Sequence, residues 1–322
     1  MNGPHSVDGV LVQWGDRLFY PGNRTVRTRP LPRLRGDSAR ASTKRRADAI
    51  RARIAATVVR RAPQVMVRVT GGGRGIRAIA AHFRYISKHG RLDIEDEHGT
   101  KLSGRGAVHE LADDWRFGGT LIEEEGGSRR EAFNLMLSMP RGTAEPLNVL
   151  EAARRFAKDE LADHKYVMVL HDHQAHPHVH ISVRAESKHG QRLNPRKADL
   201  HRWRETFAEK LREQGIDAEA TRQATRGATR HYPDLWRVKA AAEGRLRKPR
   251  GDHRRGEAVD ISRQEASEAW EQIAAALAKS GDVGDRELAA EIVRYTRGPS
   301  RAVEPAAVKP LTVKPPTAER GR

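Results

Sequence analysis

Polar and apolar residues alternate along His178-Val179-His180-Ile181-Ser182-Val183-Arg184. A strand there puts Val179, Ile181 and Val183 on one face and both histidines on the other. Lys165 to Leu170 predicts a strand just upstream, and the short stretch between the two predicts an antiparallel hairpin. Gln64-Val65-Met66-Val67-Arg68-Val69 alternates in the same way until Gly71-Gly72-Gly73 breaks it, and Phe133 to Ser138 reads as a further strand stopped by Pro140 and Gly142. Helical spacing replaces alternation elsewhere. Ile76, Ile79, Ala80, Phe83 and Ile86 predict a helix to about Lys88, ended by His89-Gly90. A helix is expected over 106–116 after an irregular charged stretch to 104. Thr143 reads as the N-cap of a helix to about Ala162 with Leu147, Leu150, Ala153 and Phe156 inward. Leu200, Trp203, Phe207 and Leu211 mark another from about Asp199 to Gln214. This order predicts an α+β fold, a central antiparallel sheet with helices packed on it.

The flanks read differently. Residues 1–62 carry fourteen Lys and Arg against four Asp. They are expected to form a basic, largely flexible arm with a short helix near 44–60. Residues 63–235 form the main domain, 236–297 a helical extension that includes a helix near 263–279, and 298–322 a disordered tail rich in proline and basic residues. The net charge of +18 over 322 residues favours a polyanionic partner. No apolar run suits a membrane span and no signal-peptide core is present, so no membrane insertion is expected and the cytoplasm is the default location. Cysteine is absent, which leaves nitrogen and oxygen as metal donors.

Five histidines fall between 171 and 180: His171, His173, His176, His178 and His180. On a hairpin, His171 at the end of one strand lies beside His178 and His180 at the start of the next, the skeleton of a divalent metal site with open positions. His173 and His176 are candidates for a ligand or for orienting one. The alternative is a set of surface histidines or a structural zinc site. A metal acting on oxygen in a basic protein suggests phosphodiester chemistry. Tyr85 is the candidate nucleophile, with Arg84, Lys88 and Arg91 near it in sequence to attract phosphate, and Arg184 is a further candidate DNA contact.

Three blocks in order carry a resemblance. They are Gln64 to Val69 with the glycines and Phe83-Arg84-Tyr85-Ile86-Ser87-Lys88-His89-Gly90; Leu135 to Pro140 with Gly142-Thr143; and His171 to Arg184 with its Pro177-His178-Val179-His180 core. The chain resembles conjugative relaxases, plasmid mobilisation nucleases of the histidine–hydrophobe–histidine superfamily, in the subclass of the T-DNA border endonuclease. The likeness spans about 63–230 and includes Ala224-Thr225-Arg226-Gly227.

That resemblance implies site- and strand-specific nicking and rejoining of DNA, with Tyr85 as nucleophile and His171, His178 and His180 holding the ion. Ser138 would contact DNA near the nick. Where relatives often carry an acidic residue, this chain has His173 beside Asp172, so either is a candidate to orient a histidine or assist proton transfer. Mg²⁺ or Mn²⁺ is the expected ion, with Zn²⁺, Co²⁺ or Ni²⁺ as alternatives. Implied partners are single-stranded or locally melted origin-of-transfer DNA, accessory nicking proteins and a type IV coupling protein. Implied location is the bacterial cytoplasm, with export through a type IV channel. The competing readings are a DNA-binding accessory factor with a structural metal, and a replication initiator or transposase using a tyrosine after the histidine motif, where Tyr232 is available and Tyr166, inside a strand, is not.

Overall fold

The computed structural model describes residues 6–20, 37–173, 176–228, 240, 243–245 and 256–298. Its elements run α1 (Val7–Phe19), α2 (Asp37–Val58), β1 (Met66–Gly71), α3 (Ile76–Ile86), β2 (Ile94–Asp96), β3 (Lys101–Leu102), α4 (Gly104–Phe117) and β4 (Ala132–Ser138). They continue with α5 (Pro146–Glu160), β5 (His164–His171), β6 (His178–Ser187), α6 (Lys197–Arg212), α7 (Glu257–Ala278) and α8 (Val283–Arg297). The six strands form one antiparallel sheet in the order β1-β4-β6-β5-β2-β3. The fold is α+β, as the periodicity predicts.

Alternation along the strands separates two faces. Val67, Leu135, Leu137, Val179, Ile181, Val183, Tyr166 and Met168 pack with α5 and α6 residues Val149, Phe156, Trp203 and Phe207. The opposite face carries His171, His178 and His180, and beyond them Val167 and Val169 pack under Ile79, Phe83 and Ile86 of α3 and Leu111 and Trp115 of α4. The glycines after β1 let its loop press against the sheet. A Cβ on Gly72 would lie 2.2 Å from the Ala132 carbonyl oxygen, and one on Gly73 would lie 2.4 Å from Ile79.

Three expectations need correction. The helix expected from Thr143 begins instead at Pro146, with Glu145 at the N-cap, and the Thr143 hydroxyl donates to the Pro140 carbonyl at 2.7 Å. Leu147 is therefore 71% exposed. Nine residues at about 100° each set it opposite the buried Phe156. The charged stretch before 104 holds the β2–β3 hairpin, closed where Asp96 Oδ1 accepts the N–H groups of His98 and Thr100.

The amino-terminal arm is not irregular where it is described. Residues 7–19 and 37–58 are helical, so the helix expected near 44–60 is longer and starts earlier. Leu11, Leu18, Phe19, Ile50 and Ile54 pack with Trp270, Ile273, Leu277 and Ile292 of α7 and α8 in a cluster of their own. Arg51 joins Asp285 across that cluster at 2.8 Å, and the buried Arg53 joins α2 to Glu219 and Glu205 at 3.0 and 2.9 Å. Ala224-Thr225-Arg226-Gly227 meets the cluster too. The Thr225 hydroxyl donates to the Leu18 carbonyl and its own carbonyl accepts Trp270 Nε1–H. The rest of the arm (1–5 and 21–36), most of 229–255 and the tail from 299 lie outside the described residues. No described helix is long and apolar enough to cross a membrane.

Candidate active site

Hairpin register brings three histidines together. His171 at the end of β5 faces His178 at the start of β6, and His180 stands two residues further along the same face. All three are buried, and their ring centroids lie 5.0 Å (His171–His178), 4.6 Å (His171–His180) and 5.0 Å (His178–His180) apart. One ring nitrogen from each lies within 4.8 Å of the others, so the triad can hold a metal ion.

Hydrogen bonds sort the nitrogens. His171 Nε2 is 2.7 Å from the Ile86 carbonyl oxygen, and His178 Nδ1 is 2.9 Å from that of His176. A carbonyl only accepts, so each of these nitrogens carries the proton and leaves its ring partner with a lone pair. His171 Nδ1 and His180 Nδ1 are buried and have no partner. Burial lowers the pKa of His171 and of His178. For His180, burial and then its neighbours His171, His178 and His82 push it down to about 3. Three neutral imidazoles, each with a ring nitrogen within 4.8 Å of the other two, fit a divalent cation, and the unpaired buried nitrogens fit it better than they fit a core.

Helix α3 delivers Tyr85 to this face. Its buried stripe of Ile76, Ile79, Phe83 and Ile86 fixes the rotation, which leaves Tyr85 63% exposed near the carboxy-terminal end. The Tyr85 ring lies 6.5 Å from that of His180. The same turn supplies the Ile86 carbonyl that holds His171, so nucleophile candidate and ligand candidate share one support. Immediately after it, Lys88, His89 and Gly90 all adopt positive φ, at 49°, 61° and 82°. Arg84 is exposed and Lys88 half-buried, and neither has a carboxylate partner among the described residues. The Lys88 ammonium is close enough to add to the lowering at His171.

The other candidates are placed less uniformly. Ser138 is buried beside His178 across β4 and β6, its hydroxyl donating to the Met139 carbonyl at 3.3 Å. Asp172 and His173 are exposed in the turn, and the His173 ring is 5.1 Å from that of His171. His176 is drawn away, its Nδ1 accepting the Arg141 N–H at 3.0 Å. Arg184 does not sit at the site. Six residues along β6 separate it from His178, roughly 20 Å. It is 3% exposed, and its guanidinium donates to the carbonyls of Trp115, Gly118 and Thr120, where no phosphate can reach it. Tyr166 is buried on the apolar face, its pKa pushed up to about 12 by burial and by Glu97, Glu95 and Asp96, and Tyr232 lies outside the described residues.

One neighbour had no role in the sequence reading. His82, one turn before Tyr85, lies 6.1 Å from the Tyr85 ring and 6.4 Å from that of His180. Its spacing of three from Tyr85 on a helix was the available signal.

No curated protein matches the chain. Residues 85–216, from the tyrosine through both histidine strands to the end of α6, match the family model of the relaxase nuclease domain described as MobA/VirD2-like. Over those residues the chain is similar to a MobA/VirD2-like relaxase nuclease domain, which supports a nicking nuclease.

Proposed function

We propose that this protein nicks and rejoins one DNA strand at an origin of transfer through a covalent 5′-phosphotyrosine at Tyr85, and so starts transfer or mobilisation of a plasmid or integrative element. The observation that carries this reading is an exposed phenol 6.5 Å, ring to ring, from His180 in a buried histidine triad. The Tyr85 Oη–phosphorus bond forms as the phosphorus–O3′ bond breaks. The phenolic proton leaves to solvent, and the departing 3′ oxygen takes up a proton to become a hydroxyl. One phosphodiester replaces another, so the free 3′ hydroxyl can attack in reverse and reseal the strand.

A divalent cation on His171, His178 and His180, Mg²⁺ or Mn²⁺ on this reading, would neutralise charge developing on the scissile phosphate. The chain's own residues do the positioning. Ile86 holds His171 by its carbonyl, and Arg84 and Lys88 attract the phosphates flanking the nick. Ser138 reaches DNA only if its hydroxyl leaves the Met139 carbonyl. Asp172 and His173 stand where a proton could be passed at the rim. From the triad toward the sheet edge, the side chains of Met66, Arg68, Thr70 and Met136 on the histidine face stay partly exposed, room for a single strand to lie across β4 and β1. Accessory nicking proteins, a coupling protein and export from a bacterial cytoplasm belong to the same reading.

The test uses single-stranded oligonucleotides tiled across the DNA on either side of the coding sequence, with Mn²⁺. Wild type is expected to retain a 3′-labelled fragment through denaturation, and Tyr85→Phe is not. Adducts with both proteins would move the nucleophile elsewhere. Adducts with neither, alongside binding of the same strands, would favour an accessory DNA-binding role.

A further inference from the structure

His82 is partly buried on α3, and its Nε2 is closed off from solvent without a hydrogen-bond partner. Buried polar atoms are nearly always paired, so this one needs an explanation. Its surroundings narrow the choice. The three triad rings sit 4.6–5.0 Å apart, whereas His82 stands edge-on to His180 at 6.4 Å. It is therefore outside the ligand set and beside both His180 and Tyr85, whose own rings are 6.5 Å apart. Helical side chains lean toward the amino terminus of their helix, which carries the Tyr85 ring back over the turn that holds His82. The two rings are already tilted by only 31° at 6.1 Å. With its proton on Nδ1, the neutral ring offers a lone pair at Nε2.

We propose that His82 is a positioning residue for Tyr85: its Nε2 accepts a hydrogen bond from the phenolic hydroxyl when the phenol turns from its exposed position toward the triad. The inference rests on Tyr85 being the nucleophile. It assigns His82 to holding that oxygen over the metal face, where a phosphate bound to the triad would be attacked. Loss of the hydrogen bond leaves the phenol free to sample solvent-facing rotamers. It should then slow bond formation without weakening DNA or metal binding.

The experiment compares wild type, His82→Phe, His82→Leu, His82→Gln and Tyr85→Phe on a strand that wild type nicks. Readouts are the single-turnover rate of adduct formation, DNA affinity by fluorescence anisotropy, and the visible spectrum of the Co²⁺-loaded protein. His82→Phe and His82→Leu should slow adduct formation by about tenfold to a hundredfold, the cost of a misplaced reacting group. Their DNA affinity and Co²⁺ spectrum should be those of wild type. His82→Gln, whose amide oxygen can accept the same bond, should recover most of the rate. The leucine variant serves if the phenylalanine does not fold. An unchanged rate in either folded variant overturns the proposal. So does a glutamine variant as slow as the other two, which would make His82 a packing residue, and so does an altered Co²⁺ spectrum, which would make it a ligand. Adduct persisting in Tyr85→Phe would sink the nucleophile assignment and this inference with it, a failure that can be told apart from the others.

Discussion

The two faces of β6 come from one alternating sequence and are built to opposite rules. On one face Val179, Ile181 and Val183 meet carbon from Leu135, Leu137 and Met168, and α5 and α6 cover them. On the other His178, His180 and their neighbour His171 are also buried, though less completely, and the unpartnered buried nitrogens in the described strands all belong to this face, at His171 and His180. Each such atom costs about 1–3 kcal/mol if nothing fills its valence. The apolar face therefore holds the sheet together, and the histidine face spends part of that stability on a prepared site. Secondary structure alone does not distinguish them, because both faces belong to the same hydrogen-bonded ladder.

Matched substitutions at adjacent residues of β6 separate the two rules. His180→Ala should have the largest effect, a loss of adduct formation of about a thousandfold or more, because a metal ligand and its charge stabilisation go together. Thermal unfolding of the metal-free variant should be lowered less than that of Ile181→Ala, since removal of an unpartnered buried nitrogen offsets part of the cavity left by the ring. Nicking that survives at wild-type rates would remove the triad from the chemistry. Ile181→Ala should do the reverse. Ile181 is fully buried, and its truncation should cost about 2–5 kcal/mol in urea unfolding, with adduct formation per folded molecule unchanged. If activity fell further than the folded fraction, the faces would be coupled and the contrast wrong.

The sheet and its covering helices were legible where periodicity is strong. Val179, Ile181 and Val183 declare one face of β6, and Ile76, Ile79, Phe83 and Ile86 declare the inner stripe of α3. The triad was legible for the same reason, because a hairpin joins His171 to His178 by geometry alone. Short or distant effects were not. β2 and β3 have three and two residues, too few to show a period. In α2 the stripe of Ala47, Ile50, Ile54 and Val58 is diluted by arginines, and besides α1 its partners in the cluster include α8, more than two hundred residues away. Arg184 looked like a surface cation because arginine usually is one. The carbonyls that hold it come from the end of α4, some sixty residues earlier in the chain. His82 lies just before the motif that begins at Phe83, and its missing partner is a property of packing.

His201 tests how far the contrast extends. It lies on α6, among the helices covering the apolar face, and it too is a histidine, half-buried, whose Nε2 is closed off without a partner. What it lacks is convergence. Its neighbours are Glu205, 4.0 Å from Nδ1, and the cations Arg53, Arg204 and Arg222, a set that repels a metal ion. Burial, and then Arg204, Arg222 and Arg53, push its pKa from 6.5 down to about 4. The folded value is the lower one, so the unfolded chain binds the proton more readily. The stability of the neutral form is complete above about pH 6.5 and is lost as pH falls through 4. By pH 5 this amounts to about 2 kcal/mol. Glu205 is raised by burial and works in the opposite sense, so the measurement is a difference. Urea unfolding of wild type and His201→Gln at pH 7 and pH 5 should show wild type losing about 2 kcal/mol more than the variant, with Co²⁺ binding at pH 7 the same in both. Parallel losses would mean that His201 is protonated in the fold. Weaker Co²⁺ binding in the variant would tie this helix to the triad and erase the distinction between a histidine that is merely half-buried and three that converge.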